Sequence, residues 1–322
     1  MRAIVQDRYG SPDVLRLTET SKPVAGPGEV LVSVRAASVN VADWLSMLGR
    51  PYMVRMAFGG MRKPKSGARG SDFAGVVEAV GREVTRTQPG AEVYGWGPGA
   101  LADYLCCAEA NVAPKPKGLT FEQAAAVPLT ACTAFTNLRD VARVRPGQKV
   151  LINGASGGVG TFAVQVAKEF GADATGVCST RNVELVRSIG AGQVIDYTKD
   201  DFTRTGQRFD LILDNEMNHS LSDLSRVLAP GGILLLNNGT GGGPWFGTLG
   251  RMAGTLVTSK FTRRNVRLAT LPKRENLPLV TELIEAGKVT PVIDRTYPLT
   301  EAAEALRYLG LGHARGKVVI TV

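Results

Sequence analysis

The stretch Gly154-Ala155-Ser156-Gly157-Gly158-Val159-Gly160 can support two kinds of chemistry. Gly154-x-Ser156-x-Gly158 has the spacing of a nucleophile elbow, in which a serine on a strand-to-helix turn attacks an acyl carbon. Such a serine needs an acid and a histidine further along, and Asp294 and His313 follow in the required order. Ala155-x-Gly157-x-x-Gly160 has the spacing of a dinucleotide-binding turn. There the glycines let the backbone approach a pyrophosphate, and a helix N-terminus offers unpaired N–H groups to it. The letters permit both readings.

The neighbouring elements separate them. "KVLIN" runs into the glycines, a helix through "GTFAVQVAKEFG" starts beneath them, and "DATGVC" returns as a second strand. That is a mononucleotide-binding unit. An elbow serine normally follows several βα units, whereas mainly β-type sequence precedes this turn, so Ser156 reads as a turn residue. At the end of the second strand, where an acid would hold a free ribose 2′-hydroxyl, the chain reads Ser179-Thr180-Arg181-Asn182. Hydroxyls and a guanidinium suit a 2′-phosphate, which predicts NADPH over NADH. The plainer reading leaves Arg181 as a helix-start residue facing water.

Up to about residue 120, short β-branched runs such as "EVLVSVRAASV", "FAGVVEAVG" and "AEVYGWG" alternate with Gly and Pro, which predicts an antiparallel β-rich domain. From about 124 to 290 strand and helix alternate, through "FDLILD", "SLSDLSRVLA" and "ILLLN", which predicts a doubly wound parallel sheet. The closing "GKVVITV" is expected to return to the first domain. A chain of 322 residues, 44% hydrophobic, suits two cores. The net charge of +9 gathers in "MRKPKSGAR" and "SKFTRRNVRLATLPKR". No nucleic-acid-binding motif accompanies these clusters, so they read as solvated loops or lid edges. No signal-like or membrane-spanning run is present, and Cys106, Cys107, Cys132 and Cys178 show no framework spacing, so a cytoplasmic protein with free thiols is expected.

Taken jointly, "VRAASVNVADW", "GSDFAGVVEAVG", "FEQAAAVPLTACTAF", "VLINGASGGVGTFAVQVAK", "VIDYT" and "HARGKVVITV" resemble the medium-chain dehydrogenase/reductase superfamily, in its zinc-free quinone oxidoreductase branch. The resemblance implies a GroES-like β domain from 1–123 and 291–322. It implies a Rossmann domain over 124–290, an active site in the cleft between the two, and a homodimer. Zinc-dependent relatives carry Cys in the first motif and Gly-His-Glu in the second; this chain has Asn40 with Asp43, and Gly70-Ser71-Asp72. With two histidines, both far from these motifs, no metal is expected. Without a Lewis acid, hydride delivery to an electrophilic carbon of a quinone or α,β-unsaturated carbonyl is favoured over alcohol oxidation.

By the same resemblance Asn40 and Asp43 lie near nicotinamide and substrate, and Tyr52 lies at the pocket wall. Ser179, Arg181 and Tyr197 lie near the adenosine phosphate, and the turn from Ala155 to Gly160, Asn215 and Gly239 lie along the cofactor. The substrate is expected to be a small aromatic or conjugated carbonyl. After "FDLILD" relatives commonly read Asn-Val-Gly, but this chain reads Asn215-Glu216-Met217. That pair either reshapes the nicotinamide site or adds an acid/base, the alternative being a redox-neutral enzyme using Glu216, or a loop facing solvent. The Gly-rich "TGGGPWFGTLGRMAGTLVTSKF", with Trp245, Phe246 and Met252, reads first as a flap, with a dimer contact or a membrane-surface helix as alternatives.

Overall fold

The strand Glu29–Val39 organises the first of two units. Its β-branched run pairs antiparallel with Asp72–Val80 on one side. On the other side it pairs with Tyr104–Ala108 and, further along, with the closing strand Lys317–Thr321. The tail therefore returns to this sheet as expected, Val318 standing opposite Val39. Ile293–Pro298 extends the sheet in parallel beyond the closing strand, while Glu92–Trp96 and Val112–Pro114 extend the other edge. Alternate residues Val30, Val32 and Val34 enter a core with Phe73, Val77, Leu105, Val318 and Ile320. The helix Val41–Leu48 begins where Glu29–Val39 ends, with Asn40 as N-cap in a capping box with Asp43 and Gly49 closing it at φ 62°.

The computed structural model describes residues 1–52, 55, 60–64, 67–237, 250, 252–255 and 265–322. The compact units comprise Met1–Cys132, Arg274–Gly287 and Pro291–Val322 in one, and Thr133–Lys273 with Lys288–Thr290 in the other. The helix Leu277–Glu285 belongs to the first unit, where Thr281 Oγ1 lies 2.7 Å from Tyr94 Oη and Glu285 accepts the Lys117 N–H.

In the second unit six parallel strands lie in the order Gln193–Asp196, Asp173–Cys178, Lys149–Asn153, Phe209–Asp214, Leu228–Leu236, Asn265–Leu268. Two strands run outward from Lys149–Asn153 on one side and three on the other, so the strand order reverses beside it, at the carboxyl edge where doubly wound folds bind ligands. One element is shorter than the sequence suggests. The helix Leu221–Arg226 stops before Val227, because Val227 and Leu228 are buried and the Val227 carbonyl accepts the Phe209 N–H. Met217 and Met252 pack in the core of this unit with Ile212, Leu224 and Leu236. Met217 is thus buried, which sets aside the alternative of a loop facing solvent for that residue. Trp245, Phe246 and Gly239 lie outside the described residues.

Candidate active site

In the first unit, residues from four elements meet below the start of the helix Val41–Leu48. Asn40 is 4% exposed, Asp72 0% and Lys317, from the closing strand, 2%. Lys317 Nζ donates to Asn40 Oδ1 and to the Val39 carbonyl at 3.3 Å, and lies 3.5 Å from Asp72 Oδ2. Asn40 Nδ2 donates to Asp72 Oδ2 at 3.1 Å and to Ser71 Oγ at 3.3 Å. The Ser71 hydroxyl donates onward to the Asp43 carboxylate at 3.3 Å, which also accepts the Asn40 backbone N–H at 2.8 Å. Burial is the largest influence on all three ionisable members. It raises Asp72 from 3.8 to about 6 against the pull of Lys317, raises Asp43, and lowers Lys317.

Arg69 also departs from the expected solvated loop. It is half-buried, its guanidinium donates to Ser46 Oγ at 2.9 Å, and its charge helps hold Asp43 ionised. Asn40 and Asp43 thus cap the helix and at the same time belong to a charged network. Tyr52 is half-buried, with the Arg55 guanidinium over its ring at 4.4 Å and over the Tyr9 ring at 4.5 Å.

In the second unit the helix Gly158–Glu169 starts after Gly157, an N-cap without a side chain, so its first N–H groups have no intrahelical acceptor. A Cβ on Gly157 would meet only the Gly154 carbonyl, at 3.5 Å, whereas one on Gly160 would stand 2.1 Å from that oxygen. Gly160 is therefore a packing requirement, and Gly157 keeps the approach to the turn clear. This cradle fits a pyrophosphate. Ala155 is fully buried over Gly176, and its N–H donates to the Val177 carbonyl at 3.0 Å, so the residue shapes the turn from beneath. Ser156 Oγ accepts from Asn182 Nδ2 at 2.9 Å, a contact with an amide that cannot activate it as a nucleophile.

At the ends of the strands Asp173–Cys178 and Gln193–Asp196, Ser179 is half-buried, Arg181 is exposed and Tyr197 is 56% exposed. The Tyr197 N–H donates to the Cys178 carbonyl, which brings the ends of two neighbouring strands together. Asp196 and Thr198 there escaped the sequence reading. Thr180 Oγ1 donates to Asp196 Oδ2 at 2.6 Å, while Thr198 donates to Asp196 Oδ1 from both N and Oγ1. These bonds hold Asp196 below the ordinary carboxylate range, and it stays charged. "VIDYT" displayed the acid, but nothing in the letters showed its contact with Thr180.

Glu216 lies against the same glycine turn. A Cβ built on Gly154 would sit 2.6 Å from Glu216 Oε1. The residue as a whole is exposed, with its carboxyl against the turn, and desolvation followed by the nearby Asp214 carboxylate raises its pKa. Around it the strand ends are tied by amides. Asn215 Nδ2 donates to the Asn153 carbonyl, Asn237 Nδ2 to Asn215 Oδ1, and Asn153 Nδ2 to both Asp214 Oδ1 and Asn218 Oδ1. Asp214 Oδ1 also accepts the Met217 N–H at 2.9 Å, where Met217 turns into the left-handed region at φ 52°.

Among the described residues no three His, Cys, Asp or Glu side chains gather to hold a metal ion. No helix among them is long and apolar enough to cross a membrane. A β-rich unit of this sheet order and a parallel sheet with a glycine turn at its switch point, in one chain, are the two parts of a dehydrogenase/reductase fold, and comparison with known proteins agrees. Residues 26–117 match the alcohol dehydrogenase GroES-like domain family and 189–320 the zinc-binding dehydrogenase family. The chain is 36% identical to the mouse mitochondrial NAD(P)H oxidoreductase RTN4IP1, covering 100% of this chain and 89% of that protein. It is 34% identical to the tomato 2-methylene-furan-3-one reductase, covering 99% and 79%. The quinone oxidoreductase structure from Coxiella burnetii superposes with a TM-score of 0.86 at 29% identity, covering 100% and 99%. The chain belongs to the medium-chain dehydrogenase/reductase superfamily, in its quinone oxidoreductase branch.

Proposed function

We propose that the protein is a zinc-independent reductase that passes hydride from NADPH to a quinone or an α,β-unsaturated carbonyl. The observation that carries this reading is the Asn40, Ser71, Asp72 and Lys317 network. Where zinc-dependent relatives place Cys and His, this chain has an amide and a hydroxyl already committed to carboxylates and an ammonium. Such a donor set does not suit zinc, and it offers no electrophile for an unactivated alcohol. NADPH, when bound, supplies the hydride. The N–H groups from Gly158 to Gly160 receive its pyrophosphate, and Ser179, Arg181 and Tyr197 its 2′-phosphate. Asn40 and Asp43 orient the acceptor, with Tyr52 beside them.

A reduced enone or quinone also needs a proton. Glu216 supports that role by its place at the carboxyl edge of the parallel sheet and by a pKa raised toward the range of a useful acid. The tomato relative acts, by its name, on a furanone whose carbonyl is conjugated with a methylene group, the same electronic class as the acceptors proposed here. We place the protein in the cytoplasm as a homodimer, a setting compatible with four unpaired cysteines.

The test is NADPH consumption against a panel of quinones, enones and simple alcohols or aldehydes, with metal content measured on the same preparation. Turnover of quinones or enones by protein carrying far less than one zinc per chain is expected. Stoichiometric tightly bound zinc, or activity confined to alcohols, would overturn the proposal.

A further inference from the structure

Among the described residues of the first unit one cation, Lys317, is buried, and its closest partner is not the carboxylate beside it. Lys317 Nζ approaches Asn40 Oδ1 more closely than it does the Val39 carbonyl, at 3.3 Å, or Asp72 Oδ2, at 3.5 Å. An ammonium retained only to neutralise Asp72 would be expected to show the opposite order, since the Coulomb attraction of the ion pair grows as the charges close. The contact fixes the Asn40 amide. Its oxygen faces a group that can only donate, and its nitrogen faces the Asp72 carboxylate at 3.1 Å. Turning the amide over would set NH₂ against NH₃⁺ and C=O against COO⁻. With the amide so held, its second proton goes to Ser71 Oγ, and the Ser71 proton is left for Asp43. Donation runs one way, from Lys317 through Asn40 and Ser71 to Asp43.

We infer that Lys317 is a positioning residue of the reductase site, its ammonium locking the Asn40 amide and, through Ser71, the Asp43 carboxylate at the mouth of the helix Val41–Leu48. The inference rests on the proposed function for the roles of Asn40 and Asp43. Lys317 reaches this cluster from a strand 277 residues away in the sequence, as the closing strand pairs with Glu29–Val39. Replacing a buried ion pair with neutral groups of similar size is often tolerated, whereas removing one partner is not. The test therefore removes both charges.

In K317M/D72N, the melting temperature and NADPH affinity are expected to stay near wild type while kcat for quinones or enones falls by about tenfold or more. N40A should lose about as much, and N40A/K317M/D72N no more than either, because residues acting through one another do not add. K317Q/D72N, which keeps a neutral donor at that position, should recover part of the turnover. Wild-type kcat in K317M/D72N, or losses that multiply in the triple variant, would overturn the inference. Should the double variants not fold, wild-type protein labelled with ¹⁵N at Asn decides the matter. The Asn40 side-chain protons, identified by their absence from N40A, should exchange slowly with solvent, and exchange at the rate of an exposed amide would overturn the inference. Wild-type protein that turns over none of the acceptors instead sinks the proposed function, and the amide measurement then judges the positioning role alone.

Discussion

Glu216 closes over Gly154: its Oε1 stands 2.6 Å from the point a Cβ on that glycine would occupy, so the carboxyl rests on the first residue of the turn proposed to receive pyrophosphate. Two anions at that turn repel one another, and the carboxyl is the one that can be neutralised. Desolvation and the neighbouring Asp214 raise its pKa, so it takes up a proton at a higher pH than a free glutamate does. NADPH should therefore bind more weakly as pH rises through the Glu216 titration. Glu216→Gln should flatten that dependence and tighten NADPH by about threefold or more at neutral pH. At saturating NADPH the same variant tests the proton role, for which kcat should fall. An unchanged pH dependence of the dissociation constant would remove Glu216 from the turn, and an unchanged kcat would leave it no part in proton transfer.

At the place proposed for the adenosine, Arg181 and Asp196 carry opposite charges toward a 2′-phosphate. Asp196 stays ionised because Thr180 and Thr198 donate to it, so the proposed preference for NADPH rests on Arg181 and the surrounding hydroxyls. Arg181→Ala should weaken NADPH by about tenfold or more while sparing NADH, the loss of one charge-assisted hydrogen bond. Asp196→Asn should tighten NADPH relative to NADH. Titration of both variants with both cofactors, followed by fluorescence, checks this. Equal losses for the two cofactors in Arg181→Ala would remove the 2′-phosphate assignment.

The elements that were legible in the sequence are those whose signal is local. Glu29–Val39 alternates β-branched residues along one sheet, and Lys149–Asn153 runs unbroken into glycines because both of its faces are buried. The long-range partnerships were not legible. Asn40 and Asp43 could be singled out by their motif, but a lone lysine in "GKVVITV" gave only the faint signal of a charge inside an apolar strand. Its partner emerged once that strand paired with Val39. Met217 misled for a related reason: the letters place a bulky residue at the cofactor edge, and only the left-handed turn shows its side chain sent into the core.

Met217 sets two effects against each other. A non-glycine residue in the left-handed region costs about 1–2 kcal/mol, which Met217→Gly would relieve. The same change removes a side chain buried at 4% exposure from the core around Leu224 and Leu236, a loss of about 2–5 kcal/mol. Packing should prevail, and Met217→Gly should lower the urea midpoint with little change in NADPH affinity. A midpoint above wild type would mean that backbone strain outweighs the buried thioether.

Asp72 allows the balance between burial and ion pairing to be read from pH. Burial raises its carboxyl from 3.8 to about 6, although Lys317 lies 3.5 Å away and pulls the other way. Between those two values the folded protein keeps a proton that the unfolded chain has released. The folded state thus binds more protons, and the contribution of this group to stability declines as pH rises through that window. Asp103, Asp201 and Glu109 are shifted downward and contribute with the opposite sign, so the raw profile mixes both. Subtracting the profile of Asp72→Asn, which retains every other carboxylate and Lys317, isolates the one group. Urea midpoints measured from about pH 4 to pH 7 should show the wild-type advantage over Asp72→Asn shrinking up to about pH 6 and then levelling. A difference that grows with pH instead would mean that attraction to Lys317 outweighs desolvation, and that Asp72 is ionised throughout the range in which the enzyme works.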